Sequence, residues 1–133
     1  MIQSNSSKKF IFNEKIDGNY LHSLYEDDYQ YIEEIFATTL THFDNDLAAV
    51  HEAYTAGDVT TLKKAVHKIK PTFGFVGLTS IQQLCAAFED ICQKATSTGE
   101  LKDQYQQIVA TLATSKDLIA SEYSKLKAFN SSL

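Results

Sequence analysis

The feature that most constrains the fold is a hydrophobic period of three to four residues, which runs through nearly the whole chain. A stripe with this period places its apolar side chains on one face of an α-helix, where they can bury against neighbouring helices. No segment alternates apolar and polar residues long enough to favour a β-strand. Four long stripes can be followed, over residues 29–54, 62–76, 81–95 and 101–126.

Short turn signals separate the stripes. Gly57 suits the left-handed position that follows a helix C-terminus, and Asp58 suits the N-cap of the next helix. Gly77 ends the second stripe in the same way, and Thr79 or Ser80 offers a cap for the third. Short connections of this kind join helices that lie antiparallel beside each other.

The expected fold class is therefore all-α, an antiparallel up-and-down four-helix bundle with a short additional N-terminal helix around residues 17–25. Residues 97–100 (STGE) form the last turn. No linker divides the chain, so we expect one bundle domain over residues 14–128. Residues 1–13 are expected to be a flexible N-terminus and residues 129–133 a flexible tail.

Composition excludes several classes of protein. The net charge of −5 argues against nucleic acid or an anionic membrane surface as a partner. There is no apolar run of eighteen residues and no apolar segment near Met1, so we expect no membrane span, no secretory signal and a cytoplasmic location. Cys85 and Cys92 fit buried small hydrophobic residues. No metal-ligand spacing is present, and we predict no metal site.

Residues 67–78 (HKIKPTFGFVGL) contain the one proline of the chain and a glycine inside an otherwise helical stripe. On a helical wheel His67 lies opposite the apolar face and points to solvent. Pro71 and Gly74 lie within about 40° of His67. A glycine in a helix costs about 1 kcal/mol relative to alanine, so we interpret Gly74 as providing room for a partner to approach the imidazole.

The same face of the helix is rich in lysine. Lys63, Lys64 and Lys70 lie within about 60° of His67, and all twelve basic residues of the chain are lysine. An exposed imidazole flanked by cations is suited to a phosphoryl group. A solvated lysine face is the alternative interpretation, and for Lys63 and Lys64 the sequence leaves the two open.

The following helix brings a carboxylate to this face. If the turn centres on Leu78, His67 and Glu89 lie eleven residues to either side and at similar heights. Glu89 could then accept a hydrogen bond from Nδ1–H of the imidazole and leave Nε2 free to attack. Nearby lysines favour a neutral imidazole and a nearby carboxylate favours a charged one, and the sequence leaves that balance open.

This set of spaced residues resembles the histidine-containing phosphotransfer (HPt) domain family. The resemblance covers roughly residues 20–127, with Glu89 at the family's acidic or amide position. The family often has glycine four residues after the histidine, where this chain has Pro71; proline removes the N–H that would bond the His67 carbonyl. We expect function to survive that change. The matching residues are His67, Lys70, Gly74, Gly77 and Leu78.

The resemblance implies a phosphoryl carrier rather than an enzyme. In that family the histidine takes a phosphoryl group from the aspartyl phosphate of a receiver domain and passes it to another receiver. His67 would be the phosphorylated residue, and Lys70 would help to balance the phosphoryl charge. The receiver supplies the aspartate and Mg²⁺, so no intrinsic cofactor is expected.

The expected partners are response-regulator receiver domains, including that of a hybrid sensor histidine kinase, and we expect a monomer. The predicted docking residues are Lys63, Lys64, Pro71 and Phe75, although partial burial of Phe75 is an equal alternative. A second hypothesis is a docking module of the same fold that is never phosphorylated. A third is a phosphoacceptor domain that belongs to a larger sensor kinase.

Overall fold

The computed structural model describes residues 8–132, and in that range the chain forms α-helices, one 3₁₀ turn and no β-strand. The predicted all-α bundle with a short N-terminal helix is confirmed. The four long helices follow each other in antiparallel order, with the short helix before them. The elements are α1 (Gly18–Tyr25), α2 (Tyr29–Thr55), α3 (Val59–Phe75), α4 (Thr79–Lys94), the 3₁₀ turn (Thr98–Leu101) and α5 (Lys102–Ser131).

Aspartate residues start the first three helices. The carboxylates of Asp17, Asp28 and Asp58 each accept a hydrogen bond from the backbone N–H three residues ahead, at 2.9, 3.1 and 3.0 Å. Each bond satisfies a donor that has no partner inside its helix. Gly57 has a φ of 76° between α2 and α3, which confirms the predicted turn at this position.

The turn between α3 and α4 is closed by its backbone. Gly77 has a φ of 76°, and the N–H of Leu78 donates to the carbonyl of Phe73 at 2.8 Å. Leu78 is itself the N-cap of α4, and no side chain caps that helix. The predicted cap by Thr79 or Ser80 is therefore wrong. The left-handed turn at Gly77 places Leu78 at the N-cap, so Thr79 and Ser80 are already the first two residues of the helix.

The apolar faces of the four long helices meet in a single core. α2 packs against α3 and α5, and α4 packs mainly against α3. The stripes predicted for α2, α3 and α5 lie on the buried faces. In α4 the prediction is partly wrong, because Leu84 and Ile91 of the predicted stripe are exposed and Cys85 and Cys92 are buried beside Phe88 instead. The largest fully buried apolar side chains are Phe36, Phe43, Phe73, Leu21, Ile32, Leu62, Ile69, Ile108, Leu112, Ile119 and Leu126.

Packed structure extends beyond the predicted domain boundaries at both ends. The ring centroid of Phe10 lies 6.2 Å from that of Tyr29 and 5.5 Å from that of Phe129. At the same end, α5 continues to Ser131. At 27 and 30 residues, α2 and α5 are longer than α3 and α4, which have 17 and 16. The N-terminal segment covers the projecting ends of α2 and α5. The rest of the predicted flexible ends, residues 1–7 and 133, lies outside the described residues.

Both cysteines are buried, and His51 contacts a neighbouring helix. Cys85 and Cys92 are buried and free, as predicted, and burial raises the pKa of these thiols to about 12 and about 11. Nδ1 of His51 lies 2.9 Å from the hydroxyl of Tyr105. Within residues 8–132, no group of three or more potential ligands is placed to hold a metal ion. No helix in this range is both long and apolar enough to cross a membrane.

Candidate functional site

His67 lies in the middle of α3 on the face that points away from the core. Its side chain is 69% exposed. The buried residues of α3 occupy the opposite face and fix the rotation of the helix about its axis. The outward orientation predicted from the wheel is therefore correct. The buried residues on that opposite face are Leu62, Val66, Ile69 and Phe73.

Glu89 on α4 holds the imidazole of His67. Nδ1 lies 2.8 Å from Oε1 of Glu89, whose side chain is only 9% exposed. An ionised carboxylate can only accept hydrogen bonds, so Nδ1 carries the proton and donates it. Nε2 then keeps its lone pair on the exposed side of the ring, and the hairpin register predicted about Leu78 is confirmed.

Lys70 lies on the other side of the same carboxylate. Its Nζ is 2.7 Å from Oε2 of Glu89, at an angle outside hydrogen-bond geometry, and its side chain is 25% exposed. Burial alone would raise the pKa of Glu89. The contacts with Lys70 and His67 outweigh burial, so the pKa of the carboxyl is lowered. Glu89 therefore stays ionised near neutral pH and connects the two side chains.

The lowered pKa of Glu89 makes this carboxylate a pH-dependent source of stability. Its contribution is fully present above the ordinary glutamate pKa of about 4.3 and is lost as the pH falls through the lower folded value. We expect the difference in unfolding free energy between the wild type and Glu89→Gln to shrink from pH 7 to pH 3. Urea unfolding at both pH values measures it, and a constant difference would contradict the assigned charge state.

A groove of about 900 Å³ opens beside His67, between the first half of α3 and the second half of α4. Lys63, Lys64 and Glu89 also line it. Nζ of Lys63 donates a hydrogen bond to Oε1 of Gln93 on α4. The sequence interpretation missed Gln93, although positions 63 and 93 are equally distant from Leu78 and the register could have found this pair.

Gly74 does not have the role that was predicted for it. It is buried, and a Cβ at this position would lie 2.8 Å from Nε2 of Gln82 on α4. The prediction that Gly74 leaves an open approach path to His67 is wrong, because the side chain of Gln82 on α4 covers this position. A helical wheel of α3 alone cannot show a side chain of another helix. Gly74 makes room for Gln82, another residue that the register about Leu78 could have identified.

Pro71 and Phe75 follow His67 at intervals of four residues on the exposed face. α3 continues without a break through Pro71, and both His67 and Lys70 still reach Glu89. The proline therefore leaves the orientation of both side chains intact. Phe75 is 52% exposed, and its carbonyl accepts a hydrogen bond from the hydroxyl of Tyr25 at 2.9 Å. Of the two interpretations, the exposed one is correct.

Two solved structures are similar to this bundle. One is the HPT domain from the Hpt sensor hybrid histidine kinase from Shewanella, at 14% identity and a TM-score of 0.71, covering 84% of this chain and 95% of that one. The other is histidine-containing phosphotransfer protein B from Pseudomonas aeruginosa PAO1, at 22% identity and a TM-score of 0.68, covering 84% and 96%. At these identities the likeness shows the fold.

The assignment to a family rests on the amino-acid sequence. No curated protein sequence matches the chain significantly. The family model described as the Hpt domain matches residues 34–127, which is more than half of the chain and includes His67, Lys70 and Glu89. The chain therefore belongs to the Hpt domain family, the phosphocarrier modules of two-component phosphorelays.

Proposed function

We propose that His67 is the phosphoacceptor, and that it takes a phosphoryl group from an aspartyl phosphate of one receiver domain and gives it to another. The observation that carries this proposal is the exposed Nε2 of an imidazole whose Nδ1–H is held by Glu89 at 2.8 Å. Nε2 attacks phosphorus, and the aspartate leaves with the electron pair of the P–O bond. Glu89 stabilises the positive charge that develops on the ring.

The chain contributes the nucleophile and its surroundings, and the receiver contributes the rest of the chemistry. Glu89 sets the tautomer and orientation of His67, and Lys70 supports that carboxylate at 2.7 Å. The receiver provides the acidic residues, Mg²⁺ and the donors that hold the phosphoryl oxygens, so this chain needs no cofactor of its own. The domain acts as a carrier, and the return transfer follows the same steps in reverse.

The receiver docks, in this proposal, on the exposed face of α3 around His67. Phe75 supplies an apolar contact that lies outside the core, Pro71 lies between it and the histidine, and Lys63 and Lys64 supply positive charge. Receiver domains that bind Mg²⁺ carry acidic residues at their active site, so the lysines complement them. The partners are response-regulator receivers, including that of a hybrid sensor kinase, and the carrier works as a cytoplasmic monomer.

Phe75 offers a test of the docking face. Because aromatic side chains often dominate interfaces, Phe75→Ala is expected to weaken receiver binding by about fivefold to thirtyfold. The fold should be unaffected, since the ring is half exposed. Isothermal titration calorimetry with an unphosphorylated, Mg²⁺-loaded receiver measures the affinity.

The matched control for Phe75 is Leu84→Ala. Leu84 is also a large exposed apolar residue, at 41% exposure, but it lies about 140° around α4 from Glu89. This control should bind like the wild type. Equal affinities for all three proteins would remove Phe75 from the docking face.

The phosphoacceptor proposal is tested by direct transfer. The purified chain is incubated with a receiver that carries a radiolabelled aspartyl phosphate, in the presence of Mg²⁺. We expect the label to move to this chain and to be acid-labile and base-stable, as an N–P bond is. Binding without transfer of label, from the receivers encoded in the same genome, would reject the carrier and leave a docking module.

A further inference from the structure

The positive charge beside His67 is already partly neutralised before any phosphoryl group arrives. Nζ of Lys70 lies 2.7 Å from the ionised carboxylate of Glu89, and the two charges cancel. Glu89 is nearly buried, so removing its cation would leave an uncompensated charge. A phosphoryl group on His67 brings a further charge of about −1.5 to −2. Lys70 is therefore committed to Glu89, and the phosphoryl group needs another cation.

Lys63 is placed to be that cation. It lies one turn before His67 on α3, and neighbours at this spacing have Cβ atoms about 5–6 Å apart. Both side chains line the groove between α3 and α4. The Nζ partner of Lys63 is the neutral amide oxygen of Gln93, which orients the ammonium but leaves its charge uncompensated.

The other lysines of α3 are less well placed. Lys64 lines the groove too, but it lies about 100° around the helix from Lys63, away from the α4 side. Nζ of Lys68 lies 3.6 Å from Asp46 of α2, so this lysine faces a different helix and has an acidic partner. Lys63 alone combines the spacing, the side of the helix and a neutral partner.

We propose that Lys63, oriented by Gln93, is the charge-balancing residue for a phosphoryl group on Nε2 of His67, while Lys70 serves to hold and neutralise Glu89. This assignment rests on the proposed function of His67. It differs from the role that the family resemblance gives to Lys70, and it follows from the ion pair between Lys70 and Glu89.

Phosphoramidate tests the assignment without a receiver, so that docking does not enter. Nε2 of His67 attacks phosphorus, the P–N bond breaks, and ammonia leaves with its electron pair and takes up the proton released by the ring. The rate of phosphohistidine formation and the pH midpoint of the phosphoryl group are followed by ³¹P NMR. A nearby cation favours the dianion and lowers this midpoint.

Lys63→Ala is expected to slow phosphorylation about fivefold, as loss of one partly exposed ionic contact does, and to raise the ³¹P midpoint. Lys63→Arg keeps the charge and should behave like the wild type, whereas Lys63→Gln should behave like the alanine variant. Lys68→Ala is the matched control on the same helix and should change neither quantity. The urea midpoints of all four variants should equal that of the wild type.

The decisive comparison repeats Lys63→Ala in a Glu89→Gln background. Glutamine keeps an acceptor for Nδ1 but carries no charge, so Lys70 is released to the phosphoryl group. The effect of Lys63→Ala should then fall below about twofold, and Lys70→Ala should become the more damaging change. Lys70→Ala is used only in this background, because alone it would leave a buried carboxylate without its cation.

Two results would overturn the assignment. One is a Lys63→Ala protein that matches Lys68→Ala while the wild type is phosphorylated on His67. The other is an effect of Lys63→Ala that is equally large with glutamate or glutamine at position 89. A wild type that forms no phosphohistidine, with phosphoramidate or with a phospho-receiver, would instead reject the proposed function, and the assignment of Lys63 with it.

Discussion

Replacement of His67 by glutamine is expected to abolish phosphoryl acceptance without disturbing the fold. The side chain is 69% exposed and lies outside the core, so the change in unfolding free energy should stay near that of its one hydrogen bond to Glu89, about 1 kcal/mol. An amide nitrogen is not a nucleophile, because its lone pair is delocalised into the carbonyl. No acid-labile label above background is expected after incubation with a labelled phospho-receiver, whereas receiver binding should persist.

The control for this variant is His42→Gln. His42 is also exposed, but it lies on α2 and outside the groove beside His67. It should accept label at the wild-type rate. Label that survives in the His67 variant would place the phosphoacceptor elsewhere, and equal loss of label in both variants would point to a general defect of the preparation.

The second large effect is expected from Gly77→Ala, in the turn between α3 and α4. Gly77 has a φ of 76°, which costs an L-residue about 1–2 kcal/mol. Its Cβ would also lie 2.9 Å from the side chains of Ile16 and Leu21, both buried. Such overpacking adds about 1–3 kcal/mol. We therefore expect a total loss of about 2–5 kcal/mol in unfolding free energy, measured by urea denaturation.

Gly57→Ala separates the two causes. Gly57 has the same φ of 76°, but its Cβ would lie 3.9 Å from Thr98 Oγ1, an ordinary contact. This variant should lose only the backbone part, about 1–2 kcal/mol. If Gly77→Ala is no more destabilising than Gly57→Ala, then the side chains of Ile16 and Leu21 do not restrict the residue at position 77.

The pairing of His67 with Glu89 was predictable because a short turn fixes the register of two antiparallel helices. Once the turn centres on Leu78, residues equally distant from it face each other. The same rule gives Lys63 with Gln93 and Gly74 with Gln82, and both pairs form contacts or near contacts. They were missed because glutamine carries no charge that would draw attention in a sequence.

The ends of the domain were less predictable, because their order depends on long-range contacts. Phe10 and Phe129 are separated by almost the whole chain, yet their rings lie 5.5 Å apart. Neither end has a periodic pattern long enough to identify a helix face. Their rings pack where α2 and α5 project beyond the shorter helices. How far these two helices project is seen only in the assembled bundle.

The sequence alone determined the helical class, the order of the helices, the turns at Gly57 and Gly77, and the outward face of His67. These properties depend on local periodicity and backbone conformation, which each segment carries by itself. Only the tertiary structure decided that Gly74 is covered, that Lys70 neutralises Glu89 and that Lys63 pairs with the neutral Gln93. Those facts depend on which side chains of one helix reach another, and a helical wheel of a single segment contains no information about its neighbour.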